Sequence, residues 1–167
     1  MVIAELAADF DGLDQSNPNA VVVGDAAQAF TYEAMSQAFR ILIGNPESHF
    51  IALGRTKYYQ EYGQLTLDLG PYVAALEYAA DREATVIGKP AKEYFQKALS
   101  KLGAKENQVA MIGDDILSDV GGAQNAGLRG VLVRSGKYRA ERDENHLQVK
   151  PDLICNGLLE FVNMLLP

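Results

Sequence analysis

Apolar and polar positions along the chain alternate between two periods. Short apolar runs of four or five residues are separated by longer stretches whose apolar positions recur every three to four residues. The run at 20–23 (Ala-Val-Val-Val) follows the turn-forming Ser16-Asn17-Pro18 and ends at Gly24-Asp25, which reads as a buried strand. Thr31 is placed to cap a helix over 32–43, in which Met35, Ala38, Phe39 and Leu42 form one apolar face; Gly44-Asn45-Pro46 stops it. A second strand is expected at 50–53. Pro71 suits the first turn of a helix running to 80. A short strand at 86–88 leads through Lys89-Pro90 into a helix to about 102. Strands follow at 109–112, 130–133 and 153–155, with a last helix over 158–166, while the charged segment 136–150 reads as a solvated excursion. This alternation predicts an α/β fold with a mainly parallel sheet and helical crossovers.

The acid-rich stretch after the 109–112 run carries the most chemical information. Gly113 ends the run, and Asp114, Asp115 and Asp119 follow within six residues, before a helix expected from about Ser118 to Gly127. Acids on the loop between the carboxyl end of a strand and a helix occupy the position where open α/β sheets place ligands. Carboxylates gathered together repel, and a hard cation such as Mg²⁺ relieves that repulsion. The competing reading is turn and N-cap chemistry, which uses the same residue types.

Charge and composition narrow the classes of function. The chain has 167 residues, 48% of them hydrophobic, and a net charge of −7, enough apolar material for a core and no basic surface for tracking nucleic acid or anionic membrane. No apolar run approaches the roughly 20 residues of a membrane-spanning helix. The single cysteine, Cys155, excludes an intramolecular disulfide framework; it reads as a small core hydrophobe and agrees with a reducing, cytoplasmic setting.

Lys89 is the second point of interest. In Gly88-Lys89-Pro90 it stands between a strand end and a helix start, where an ammonium can meet an anion drawn to free backbone N–H groups; the alternative is an ordinary solvent lysine. A cation of this kind together with a metal-binding acid cluster is what phosphoryl transfer requires. Gly88-Lys89-Pro90, then Met111-Ile112-Gly113-Asp114-Asp115, Asp119, Gly122-Ala123 and Ala126-Gly127, resemble the later half of a haloacid dehalogenase-like phosphatase, in the subgroup with the larger α/β cap. The likeness extends through Asn17–Gly24, Tyr58-Tyr59, Leu69-Gly70-Pro71-Tyr72 and Ser135-Gly136-Lys137-Tyr138, nearly the whole chain from about residue 10. The resemblance implies a Rossmann-like core, present as its second half over 83–167, a cap over 19–82, and a linker or core remnant over 1–18. It implies that Asp114 ligates Mg²⁺ with Asp115 and Asp119 in support, and that Lys89 holds the substrate phosphate. Arg55, Lys57, Tyr58 and Tyr59 become candidate substrate contacts, with an ordinary solvated turn as the alternative. The implied partners are a small phosphorylated substrate, a phosphoamino acid or pyrophosphate, and a second copy in a homodimer.

One departure from the family pattern weighs against a complete catalytic set. Such phosphatases open with an apolar strand ending in Asp-x-Asp-Gly, whose first aspartate is the nucleophile. Asp9-Phe10-Asp11-Gly12 matches those letters, but Glu5 interrupts the preceding segment, and too few residues separate Gly12 from the strand at 20–23. Asp9 and Asp11 therefore read as linker acids first and as nucleophile and acid–base candidates second. On this reading the chain is an N-terminally truncated form of a Mg²⁺-dependent phosphatase that works through an aspartyl phosphate. The 109–112 strand would then present an unpaired edge. The alternative is a non-catalytic binding or regulatory remnant of the same fold.

Overall fold

A computed structural model describes residues 10–13 and 16–166. Two compact units are present: the chain as far as Lys57 together with Leu67–Ile87, and Tyr58–Thr66 together with Gly88–Pro167.

In the first unit, β1 (Ala20–Val23) pairs in parallel with β2 (His49–Ala52), and β2 with the short β5 (Thr85–Val86), giving the order β1-β2-β5. Helix α1 (Tyr32–Gly44) begins where Thr31 Oγ1 accepts the Ala34 N–H at 3.2 Å, the cap expected from sequence. Its predicted apolar face is the one that packs: Met35, Ala38, Phe39 and Leu42 all meet the core. Helix α2 (Leu69–Ala80) has Pro71 in its first turn and ends at Ala80, as expected, and Asp68 caps it by accepting the Leu69 N–H. Its buried residues Leu69, Val73, Leu76 and Ala80 are spaced four, three and four apart, one helical stripe set against Val21, Val23, Phe50 and Ala52. Arg82 closes this unit: its guanidinium donates to the carbonyls of Leu42 (2.9 Å), Asn45 (3.3 Å) and Ser48 and to Ser48 Oγ (3.1 Å), satisfying carbonyls at the end of α1.

The second unit contains a parallel sheet ordered β6-β7-β8, formed by Ala110–Gly113, Arg129–Val133 and Leu153–Cys155. Residues of β7 alternate across it. Val131 and Val133 join Cys155, Ala110, Ile112 and Phe161 on one face, while Leu132 joins Ile116, Val120 and Ile154 on the other. Helix α3 (Lys92–Leu102) contributes Phe95 and Leu99 to a third cluster with Ala123, Ala126 and Leu128. The helix expected from 118 begins earlier, as a π-helical turn, Ile116–Gly121, running into α4 (Gly122–Asn125), because Asp115 caps at 115. Gly130 is required where β7 crosses this turn, since a Cβ there would lie 2.7 Å from Val120 Cγ1 and 2.9 Å from its carbonyl oxygen. Among the described residues β6 pairs with β7 alone, and all four of its residues are half-buried.

Two expectations are corrected. The segment 136–150 is not a solvated excursion: it forms the short α5 (Ala140–Asp143), buries Lys137 and Asp143, and packs Tyr138 and Val149 on the core. The stretch after Arg55 is not merely a turn, because Tyr58–Glu61 (β3) and Gln64–Leu67 (β4) form a hairpin closed by Tyr62 and Gly63, both at positive φ. The last helix, α6 (Leu158–Leu165), lies within the expected span and leaves Leu159 and Leu165 exposed. No helix among the described residues is long and apolar enough to cross a membrane.

Candidate functional site

The carboxyl end of β6 delivers Asp114 and Asp115 directly, and the π-helical turn brings Asp119 back under them. Gly113 makes that return possible: a Cβ there would come within 2.6 Å of Asp119 Cβ and closer still to its carboxylate. Asp119 is buried. Its Oδ2 accepts the Asp115 N–H at 3.2 Å, and its Oδ1 receives the Lys89 ammonium at 2.7 Å. The two sequence features singled out independently, the Gly-Lys-Pro lysine and the acid stretch, are thus in direct contact. Burial opposes the charge of Lys89, but the Asp119 carboxylate outweighs it and raises the lysine pKa above its ordinary value.

Asp115 has two functions at once. Its Oδ1 accepts the Leu117 and Ser118 N–H groups at 2.8 and 3.0 Å, which is the capping chemistry, and its Oδ2 pairs with the Lys137 ammonium at 2.7 Å. Burial works against this carboxylate, yet the Lys137 ammonium and the two N–H groups hold its pKa below the ordinary value. Asp114 differs from both. Its Oδ2 accepts the Lys137 N–H at 2.8 Å, and no hydrogen bond reaches its Oδ1 among the described residues. Gly136, at φ +58°, lets the loop after β7 lie against it, since a Cβ there would sit 2.9 Å from Asp114 Cγ.

Among the described residues the three acids do not converge as a bare cluster ready for a metal; two are neutralised by lysines and one keeps an open oxygen. This donor set fits Mg²⁺, which takes all-oxygen ligands and is commonly held through one or two carboxylates with several waters retained. Lys137 is the site residue that sequence reasoning leaves without a role. The available signal is Gly136, whose positive φ places its neighbour's N–H on Asp114.

Of the remaining candidates, Tyr58 is linked to these acids through Lys137. Arg55 forms a two-point pair with Glu77, at 3.0 and 2.5 Å, so its guanidinium is committed within the first unit. Lys57 is exposed, and its carbonyl accepts the Asp68 N–H at 3.2 Å. Tyr58 belongs to the second unit, where its carbonyl receives the Lys137 ammonium at 3.0 Å. Asp11 is exposed in a turn, and Asp9 lies outside the described residues. Cys155 is fully buried, and burial pushes its thiol pKa up, which makes it the inert core residue expected.

A parallel sheet with acids at a strand end and a lysine on the loop before α3 is the layout of an open α/β core that places its ligands at the carboxyl ends of the strands. Residues 86–161 match the HAD-hydrolase-like family. Over this segment the chain is similar to the haloacid dehalogenase-like hydrolases. It is 47% identical over 159 residues to the human phospholysine phosphohistidine inorganic pyrophosphate phosphatase, covering 95% of this chain and 58% of that protein. It is 48% identical over 159 residues to bovine haloacid dehalogenase-like hydrolase domain-containing protein 2, covering 95% and 60%. Among solved structures it is similar to the 4-nitrophenylphosphatase of Thermotoga maritima, with a TM-score of 0.80, 28% identity, and coverage of 94% of this chain and 59% of that one. It is also similar to the p-nitrophenyl phosphatase of Archaeoglobus fulgidus, with a TM-score of 0.77, 27% identity, and coverage of 91% and 59%. The chain thus spans about three fifths of the length of the curated relatives it matches.

Proposed function

We propose that this chain carries the cation- and phosphate-holding half of a Mg²⁺-dependent phosphatase that hydrolyses small phosphorylated compounds through an aspartyl phosphate. The observation that carries the reading is the 2.7 Å contact between Lys89 and buried Asp119 at the carboxyl end of β6, where Asp114 keeps an open carboxylate oxygen. Asp114 holds the cation, with Asp115 and Asp119 in support. When bound, Mg²⁺ supplies positive charge to the phosphoryl oxygens. Lys89 offsets the remaining charge from the opposite side, and Asp119 fixes the direction of its ammonium. The attacking carboxylate is not drawn from these three acids, because Asp115 and Asp119 already serve as cap and ion-pair partner and Asp114 is assigned to the cation. Within this chain Asp9 and Asp11 stand as nucleophile and acid–base candidates only second to their reading as linker acids, and Asp9 lies outside the described residues. Arg55, Lys57 and Tyr58 are the proposed substrate contacts, Arg55 being paired with Glu77 in this structure.

The test is calorimetric titration of the folded chain with Mg²⁺, then with inorganic phosphate, alongside p-nitrophenyl phosphate turnover. Saturable Mg²⁺ uptake lost in Asp114→Asn, with phosphate uptake lost in Lys89→Met, is the expected result. A folded sample that takes up no Mg²⁺ overturns the reading. Mg²⁺-dependent turnover that disappears in Asp9→Asn assigns the nucleophile to this chain.

A further inference from the structure

Lys137 touches three groups at once. Its main-chain N–H donates to Asp114 Oδ2 at 2.8 Å, and its ammonium meets Asp115 Oδ2 at 2.7 Å and the Tyr58 carbonyl at 3.0 Å. The side chain is 8% exposed, so the charge is placed rather than left to wander in solvent. The Tyr58 carbonyl belongs to the first residue of the β3–β4 hairpin, 79 positions earlier in the chain. The Tyr58 ring lies with Lys137 Nζ at 5.9 Å and Arg142 Cζ at 5.3 Å from its centre, and Arg142 is in turn paired with fully buried Asp143. The Tyr58 hydroxyl is buried without a hydrogen-bond partner. This seat for the hairpin is therefore held by Lys137, on the carbonyl and beside the ring, and by Arg142 beside the ring, not by the tyrosine's own polar end.

We propose that Lys137 is a positioning residue that couples the β3–β4 hairpin to cation binding on the acids. The inference rests on the proposed Mg²⁺ site and adds a competition to it. An ammonium and a divalent ion cannot both own Asp115 Oδ2, and the doubly charged ion is the stronger claimant at equal distance. Cation binding draws Asp115 away from Lys137, leaves the ammonium with the Tyr58 carbonyl alone, and loosens the hairpin that presents Tyr58. Conversely, the ammonium weakens cation binding as long as it sits on Asp115.

Hydrogen exchange over 58–66, followed during a Mg²⁺ titration of the whole chain, tests this. Exchange is expected to quicken in the wild type as Mg²⁺ is added. In Lys137→Met it is fast throughout and insensitive to Mg²⁺, while Mg²⁺ affinity rises severalfold because a competing charge is gone; Lys137→Arg restores the coupling. A lysine that served packing alone would leave Mg²⁺ affinity unchanged or lower when replaced, so unchanged or weaker binding in a folded Lys137→Met overturns the proposal. If that variant does not fold, the wild-type titration decides by itself. Mg²⁺ uptake with an unresponsive hairpin overturns the coupling and leaves the site reading standing, whereas absence of Mg²⁺ uptake overturns both.

Discussion

Replacement of Gly136 by alanine probes the site through a single methyl group. Two costs are combined there. Gly136 has φ +58°, a left-handed conformation that costs a non-glycine residue about 1 kcal/mol. A Cβ would also lie 2.9 Å from Asp114 Cγ and closer to Oδ2, so the carboxylate must move and release the Lys137 N–H it accepts at 2.8 Å. A hydrogen bond to a charged acceptor is worth about 1.5–3 kcal/mol. Gly103, the C-cap of α3, separates the two contributions: it has φ +62°, and a methyl group added there would meet nothing within 4 Å. Gly103→Ala is expected to cost about 1 kcal/mol, and Gly136→Ala about 2.5–4 kcal/mol. Urea unfolding of the two variants reads the difference directly. Calorimetry supplies the second readout: Gly136→Ala lowers Mg²⁺ affinity because Asp114 has been displaced, and Gly103→Ala leaves it unchanged. Equal stability losses in the two variants, with Mg²⁺ uptake intact in both, would refute the assignment of Gly136 as the residue that lets the loop onto Asp114.

Lys89→Met leaves buried Asp119 without its ammonium; because Lys89 is about one-third exposed (35%), the cost is set below that of a fully buried pair, at about 1–3 kcal/mol by urea unfolding, and phosphate uptake is lost. Asp115 is held below its ordinary pKa of 3.8, so its contribution to stability is complete above that pH and disappears as pH falls through the lower folded value; Lys89 is raised above 10.5, so its contribution is complete below that pH and disappears as pH rises through the higher folded value. Asp115→Asn should therefore flatten the acid limb of a stability–pH profile and Lys89→Met the alkaline limb. Tyr62 is fully exposed at φ +46°, beside Gly63 at φ +77°, so Tyr62→Asn should stabilise the hairpin by up to about 1 kcal/mol, read as slower exchange over 58–66. Arg82→Ala removes four hydrogen bonds at the end of α1 and should destabilise the first unit by about 1–3 kcal/mol without changing Mg²⁺ uptake.

What the sequence discloses and what it withholds divide along a physical line. Local signals are legible: Thr31 as a cap, the Met35–Leu42 stripe, the apolar runs of β1, β7 and β8, and acids after a strand end all follow from neighbours within a few positions. The hairpin is not legible, because its turn uses Tyr62 where an asparagine or glycine would have announced positive φ, and because Gln64–Leu67 has only two apolar residues to set against a core. The 136–150 segment misleads for a related reason. Its charges resemble a solvated loop until their partners are known, and those partners lie far away: Asp115 and Tyr58 for Lys137. The choice between metal site and capping site for the three acids is open in the sequence, and the structure gives each acid a different set of contacts. Asp115 caps and pairs, Asp119 orients Lys89, and Asp114 alone of the three keeps an oxygen free of hydrogen bonds among the described residues. That division is electrostatically reasonable. Three uncompensated carboxylates at one strand end would repel one another strongly, and two lysines reduce the excess to a single negative charge, enough to attract a divalent cation without driving the acids apart before one arrives.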